Sequence, residues 1–122
     1  MERPSGRELY NRVNEALAAI SAGKYQFLLT KHLVSDLEEL EIADEKELIS
    51  LVAEGLREIR AVPPAKCWAG GHPPARSYEP GIKDSELWAF AWYSQIFKRA
   101  MYLKFAIKRD AYIYVDCHAD RP

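Results

Sequence analysis

The sequence is poor in cysteine and lacks long apolar runs, and each scarcity argues against a class of protein. Its two cysteines, Cys67 and Cys117, are too few for a disulfide framework, so we expect a cytoplasmic protein. No apolar stretch approaches the roughly 20 residues of a membrane span, and no signal-peptide pattern opens the chain. We therefore expect no membrane association.

Motifs for metals and cofactors are scarce as well. Four residues are potential zinc ligands: Cys67, His72, Cys117 and His118. None of their pairs has the C-x₂₋₄-C or H-x₃₋₅-H spacing of zinc sites. The chain also lacks a glycine-rich phosphate-binding loop. We therefore expect neither a metal nor a cofactor.

What the chain does have is strong alternation near its C-terminus, which predicts three strands at residues 86–93, 101–108 and 112–118. In the middle strand Met101, Leu103, Phe105 and Ile107 alternate with Tyr102, Lys104, Ala106 and Lys108. Such alternation is typical of a strand with one buried and one wet face.

The alternation also predicts a register for the last two strands. A three-residue connection, 109–111, would keep the apolar residues, including Ile113 and Val115, on one face. It would pair Lys108 with Tyr112, Lys104 with Asp116 and Tyr102 with His118. The other face would then carry phenols, amines and an imidazole: Tyr102, Lys104, Lys108, Tyr112, Tyr114, Asp116 and His118. A surface of this kind suits an anionic, planar ligand or proton transfer.

Helical spacing precedes the strands and predicts helices over about 6–22, 31–41 and 45–60. Ser5 with Glu8, and Asp44 with Glu47, are capping-box pairs. Tyr25, Phe27 and Leu29 alternate briefly, as in a short strand or an extended connector. We predict a single α+β domain over 1–122, in which N-terminal helices (5–60) pack on a small C-terminal antiparallel sheet (86–118).

Residues 61–85 hold five of the seven prolines and three of the six glycines, which predicts a long irregular loop bordering the polar sheet face. The loop carries His72, which is interpreted either as a catalytic group or as an ordinary surface histidine. His32, in the second predicted helix, is interpreted as structural. Trp88 and Trp92 lie on one face of the first predicted strand, a pattern that favours core packing over a base-stacking platform.

Charge is unevenly distributed along the chain. Residues 1–59 carry seven basic and twelve acidic side chains, a net charge of −5, whereas residues 60–109 carry nine basic and three acidic ones, a net charge of +6. A basic sheet face suits RNA or an acidic partner, but a solvated, lysine-lined sheet edge would have the same composition.

Some of these strings also resemble a known family. The Leu-Trp pair at 87–88, Met-Tyr-Leu-Lys at 101–104 and the helical segment 31–42 resemble the toxins of the MqsR family. These are small α+β RNases of type II toxin–antitoxin systems, related in fold to RelE-like toxins. The resemblance covers most of residues 25–118 and implies a RelE/MqsR-like fold.

The resemblance implies roles for individual residues. Tyr102 falls on a tyrosine that the family uses for activity, and His118 falls near a C-terminal basic residue, commonly lysine. Ala89 stands where the family often has glutamine. The family's Tyr-Lys-Ser element is missing from residues 61–85, where Arg76 or Lys83 is the candidate substitute. We expect His118, Tyr102 and Arg76 to be catalytic, and we expect five residues to bind substrate: Lys104, Lys108, Lys83, His72 and Tyr114.

The resemblance and the basic sheet face together predict a metal-independent endoribonuclease, an mRNA interferase that a cognate antitoxin protein would neutralise. The alternative is a non-catalytic binding module that holds RNA or an acidic protein on the same face. Association with a second copy of the chain or with the antitoxin is left open.

Overall fold

The computed structural model describes residues 3–28 and 30–120, without the side chain of Thr30. Its helices are α1 (Gly6–Ser21), α2 (Thr30–Leu40) and α3 (Glu45–Ala61), and a 3₁₀ turn covers Pro64–Lys66. Its strands are β1 (Tyr25–Phe27), β2 (Trp88–Ser94), β3 (Arg99–Lys108) and β4 (Ala111–Ala119). The predicted α+β class is confirmed, and so are the three helices, to within one or two residues at each end.

Local signals explain where the helices begin. The Ser5 hydroxyl accepts the Glu8 amide at 3.0 Å, and the Asp44 carboxylate accepts the Glu47 amide at 2.9 Å. Each cap satisfies a backbone donor that the first helical turn leaves without a partner. Beyond α1, Gly23 has a φ of +75°, which lets the chain leave the helix and enter β1.

The four strands form one mixed sheet in the order β1-β4-β3-β2. The predicted short strand is confirmed over Tyr25–Phe27, and Leu29 lies outside the described residues. The three C-terminal strands pair antiparallel, as predicted, but β1 pairs parallel to β4 and makes the whole sheet mixed. Two helices lie between β1 and β2, and this connection carries the chain from one edge of the sheet to the other.

The β3–β4 connection differs from the predicted one. Lys108 pairs with Ala111, so the turn has only two residues, Arg109 and Asp110, with φ angles of 53° and 62°. Two consecutive positive φ values are typical of the type I′ hairpin turn. The predicted pairing of Lys108 with Tyr112 is therefore wrong.

A register shift restores the predicted pairing further along the hairpin. Phe105 pairs with Tyr114 while Lys104 pairs with Asp116, so Val115 is an extra residue in β4. An extra residue of this kind is a β-bulge, and it reverses the alternation of the strand that carries it. Beyond the bulge, Lys104 faces Asp116 and Tyr102 faces His118, as predicted.

The bulge decides which β4 side chains enter the core. We call the face that packs on α1 and α3 the core face, and the opposite one the outer face. The core face carries Met101, Leu103, Phe105, Tyr112, Tyr114 and Cys117, all fully buried. Ile113 and Val115 lie instead on the outer face, packed with Ile82 and Ala106. The prediction that placed Tyr112 and Tyr114 on the wet face, and Ile113 and Val115 in the main core, is wrong.

The long loop is mostly irregular, as predicted, and it borders the outer face. Ile82 is fully buried against the outer-face cluster. Nearer its start, the loop lies along the edge of β2, where Ala69 donates to the Ala89 carbonyl and Ala91 donates to the Cys67 carbonyl. These hydrogen bonds cover part of an edge that would otherwise be open to pairing.

One carboxylate ties α3 to the turn that follows β2. Glu58 accepts hydrogen bonds from Trp92 Nε1 at 3.0 Å and Ser94 Oγ at 2.6 Å, and from the amides of Gln95 at 2.8 Å and Ile96 at 3.4 Å. Burial acts to raise the pKa of Glu58, but these hydrogen bonds together outweigh it and lower the pKa from its ordinary value. The ionised carboxylate therefore stabilises the fold.

We predict that Glu58→Gln lowers the free energy of unfolding by about 1–3 kcal/mol at pH 7, because a neutral amide loses charge-assisted hydrogen bonds. The lowered pKa means that this contribution is present above the ordinary glutamate range and is lost as the pH falls through the lowered value. Urea denaturation of both proteins at neutral and acidic pH should show the difference shrinking in acid. Glu54→Gln, at an exposed position one turn earlier in α3, is the matched control. An equal loss in both variants would contradict the role given to Glu58.

Candidate functional site

Tyr102 and His118 lie opposite one another on the outer face, in neighbouring strands. Their rings are stacked, with centroids 5.2 Å apart and planes inclined by 19°. His118 Nδ1 donates to the backbone carbonyl of Ala119 at 2.9 Å. Because a carbonyl only accepts, the hydrogen is on Nδ1, and in the neutral ring the lone pair is on Nε2.

The next cross-strand pair adds charge to the same face. Lys104 Nζ lies 3.9 Å from Asp116 Oδ2 and 5.8 Å from the centroid of the Tyr102 ring. The other carboxylate oxygen of Asp116 accepts a hydrogen bond from Nδ1 of His32, in α2, at 2.6 Å. Asp116 thus holds an imidazole from the helix and an ammonium from the neighbouring strand.

The two histidines border one cleft between α2 and β4. The cleft has a volume of about 260 Å³ and is lined by Lys31, His32, Ser35, Asp36, Asp116 and His118. The His32 side chain is 42% exposed, so solvent and a ligand can reach its ring. The cleft therefore brings two imidazoles and an ammonium group to one place.

Acidic side chains hold α2 against β4. Asp36 Oδ2 accepts the Tyr114 hydroxyl at 2.6 Å and the Cys117 amide at 2.9 Å, and Glu39 Oε2 accepts the Ala119 amide at 2.7 Å. These carboxylates satisfy β4 donors beyond the three residues that β1 pairs. Burial raises the pKa of Asp36, although the hydrogen bonds from Tyr114 and Cys117 oppose the shift.

Tyr114, predicted to bind substrate, is a core residue. Its side chain is fully buried, its hydroxyl donates to Asp36, and its ring lies 5.0 Å from that of Phe27. Burial also raises the pKa of its phenol. The predicted position of Tyr114 on the wet face is wrong because the alternation reverses at Val115.

Of the predicted residues only His118 lines the cleft, Tyr102 and Lys104 lie beside it, and four others lie on the long loop or further along β3. Arg76 pairs with Glu86 and donates from Nη1 to the Asp84 carbonyl at 2.8 Å. Lys108 donates to the Gly81 carbonyl. It lies four residues along β3 from Lys104, about 13 Å at the usual rise of a strand. His72 and Lys83 are exposed residues of the loop. Among the predicted residues, the structure brings together only His118, Tyr102 and Lys104.

Sequence reasoning missed the contribution of α2. His32 and Asp36 are four residues apart, so both lie on the helix face that contacts β4. Asp36 is only 4% exposed, although Glu38 and Glu41, close by in the sequence, are exposed. One signal was available: aspartate and histidine at helical spacing beside Leu33 and Leu37 mark a polar border on an apolar face.

Within the described ranges, 3–28 and 30–120, no group of three or more His, Cys, Asp or Glu side chains could hold a metal ion. No helix in that part of the chain is long and apolar enough to cross a membrane. The polar side chains in and beside the cleft offer imidazoles that can move protons, ammonium groups that can attract phosphate, and an aromatic ring that can stack.

We predict that Tyr114→Phe lowers the free energy of unfolding by about 1–2 kcal/mol, because the buried Asp36 carboxylate loses one of its two donors. Tyr10→Phe, on the exposed side of α1, should change it by less than about 0.5 kcal/mol. Denaturant titration measures both variants. A Tyr114→Phe protein as stable as the wild type would contradict the buried hydrogen bond.

The chain matches no protein-family model, no curated protein and no solved structure. No activity is therefore carried over from a relative, and a function has to be argued from the residues of the cleft.

Proposed function

We propose that this protein is a metal-independent endoribonuclease that acts in the cytoplasm as the toxin of a toxin–antitoxin pair. The observation that carries the proposal is the convergence of His118, Tyr102 and Lys104 on one sheet face beside an open cleft. An acid–base group and a cation are the side chains that metal-independent cleavage of an RNA phosphodiester uses, and a tyrosine beside them can orient the phosphate.

In the proposed reaction, the 2′-hydroxyl of the substrate attacks the adjacent phosphorus and the bond from phosphorus to the 5′-oxygen breaks, which leaves a 2′,3′-cyclic phosphate and a 5′-hydroxyl end. His118 accepts the proton of that hydroxyl, and Tyr102 orients the phosphate. Lys104 stabilises the negative charge that develops on the phosphoryl oxygens. DNA has no 2′-hydroxyl, so the proposed enzyme cuts RNA alone.

The roles given to cations follow from their contacts. The Arg76 guanidinium and the Lys108 ammonium donate to carbonyls of the long loop, which favours a structural role for both. Lys104 lies beside the Tyr102 ring and shares Asp116 with His32. It is therefore the cation best placed to meet a phosphate held against Tyr102.

The proposal includes the finer, RelE/MqsR-like assignment of the fold. Its support is that Tyr102 and His118, the two positions singled out by the resemblance, are direct cross-strand partners. An antitoxin would neutralise the enzyme by covering the outer face around this pair.

A binding module is the second candidate, and a specific observation favours it. Ala89 pairs with Lys104 in the sheet, where the MqsR-like pattern often has glutamine. A small apolar residue there offers no hydrogen bond to a substrate. In this alternative the same face holds RNA or an acidic protein without cutting it.

We predict that His118→Ala lowers the rate of RNA cleavage by roughly a hundredfold or more, the usual contribution of a general acid or base. The measurement is single-turnover cleavage of a mixed-sequence oligoribonucleotide, with thermal unfolding as the check on the fold. Lys46→Ala, at an exposed position in α3, is the control that removes a charge away from the cleft. Full cleavage by His118→Ala would contradict the mechanism, whereas RNA binding without cleavage by the wild type would select the binding module.

Tyr102→Phe separates the two roles that its side chain can have. Loss of cleavage would assign the role to the hydroxyl, as expected for a residue that orients a phosphate. Retained cleavage would assign the role of Tyr102 to its aromatic ring, which stacks on His118. Tyr10→Phe, already the stability control, serves again because its position is exposed in α1.

Expression of the chain alone in a bacterium should arrest growth, and co-expression of its genomic neighbour should relieve the arrest. Growth curves with quantified soluble protein test both parts. The His118→Ala variant, at equal soluble expression, should not arrest growth. Normal growth at high soluble expression of the wild type would contradict the toxin proposal.

A further inference from the structure

We propose that His32, positioned by Asp116, is the second proton-transfer residue of the cleft, the acid that protonates the 5′-oxygen leaving group. This inference rests on the proposed function and adds to it a residue that neither the sequence nor the resemblance singled out. It starts from one contact, the 2.6 Å hydrogen bond between His32 Nδ1 and Asp116 Oδ1.

The position of His32 is fixed from two sides. Its helix is held one turn further on by Asp36, whose buried carboxylate accepts donors from Tyr114 and Cys117. Its ring is held by Asp116, which projects from β4 next to the bulge and is only 15% exposed. A ring held at both backbone and side chain is pre-organised for proton transfer.

The tautomer of His32 follows from the same contact. A carboxylate oxygen accepts, so Nδ1 carries the hydrogen, and Nε2 is the nitrogen at which the ring exchanges a proton. The Asp116 carboxylate compensates the positive charge that the ring carries when it acts as an acid. A histidine oriented by a carboxylate in this way is a recurring catalytic arrangement.

The two imidazoles of the cleft differ in what their Nδ1 atoms contact. Nδ1 of His118 faces a neutral backbone carbonyl, whereas Nδ1 of His32 faces a carboxylate. The charged groups around His32 are Lys31 and Asp36 from its own helix, Asp116 and His118 from β4, and Lys104 from β3. Because the proposed function already uses His118 as the base, His32 is the group that remains to donate a proton to the leaving oxygen.

The step balances without any further reactant. The 2′-oxygen forms a bond to phosphorus as the bond between phosphorus and the 5′-oxygen breaks. The proton of the 2′-hydroxyl goes to His118, and the proton on His32 goes to the departing 5′-oxygen. The products are a 2′,3′-cyclic phosphate and a 5′-hydroxyl end. The substrate class is therefore single-stranded RNA flexible enough to place its 2′-hydroxyl in line with the leaving oxygen.

A change of leaving group tests this assignment. Two oligoribonucleotides are compared at the linkage that the wild type cuts fastest. One has the normal 5′-oxygen at that linkage, and in the other sulfur replaces this oxygen. A thiol is a far stronger acid than an alcohol, so a thiolate leaves without being protonated. We expect His32→Ala to lose about a hundredfold or more in rate on the oxygen substrate, and to stay within about tenfold of the wild type on the sulfur substrate.

His118→Ala is the matched comparison. This variant lacks the base, so it should be impaired on both substrates. The 2′-hydroxyl must lose its proton whichever atom leaves. His32→Asn is the second variant should His32→Ala not fold, since an amide can still donate to Asp116 but cannot deliver a proton. It should show the same selective loss on the oxygen substrate.

The outcomes separate this inference from the proposed function. Equal losses of the His32 variants on both substrates, or no loss on either, would overturn the role of His32 and leave the endoribonuclease proposal standing. A wild-type protein that cuts neither substrate would overturn the endoribonuclease proposal, and the assignment of His32 with it.

Discussion

The candidate site depends on one extra residue in β4. If β4 continued past Val115 without the bulge, strict alternation from the turn would place Asp116 on the core face with Tyr112 and Tyr114. The bulge reverses the alternation, so two tyrosines enter the core while Asp116 and His118 emerge on the outer face. Bulges commonly re-aim side chains in this way next to functional sites. The same strand can therefore anchor the fold with one half and present proton-transfer groups with the other.

A second constraint joins α2 to this strand. Among the residues that the structure describes, β1 pairs with residues 112–114 of β4, and beyond them Asp36 and Glu39 accept the amides of Cys117 and Ala119. Helix side chains thus take over where strand pairing stops, which leaves fewer open donors at the sheet edge. This attachment of α2 to β4 also brings His32 to Asp116. An edge closed by a strand along its whole length would leave no room for an imidazole from a helix.

The helices, their caps and the strand positions could be predicted because they depend on local patterns such as Ser5 with Glu8. The pairing of Tyr102 with His118 was also predicted, but two errors cancelled to give it. The turn has two residues where three were predicted, and the bulge adds the residue that the turn lacks. Alternation could not reveal this, because tyrosine suits both a wet face and a core that offers its hydroxyl a partner. That partner, Asp36, is remote in sequence, and so is the contact between His32 and Asp116.

The electrostatic character of the cleft depends on the contacts of its charged side chains and not on the net charge of the surrounding sequence. The helical half is acidic, with a net charge of −5 over residues 1–59, a balance that argues against phosphate binding there. Yet the Asp36 carboxylate points into the protein with a raised pKa, and Asp116 is shared between His32 and Lys104. Lys31 and Lys104 then remain beside two imidazoles. The acids of the cleft thus make hydrogen bonds and ion pairs within the fold, a pattern that the net charge of the sequence does not reveal.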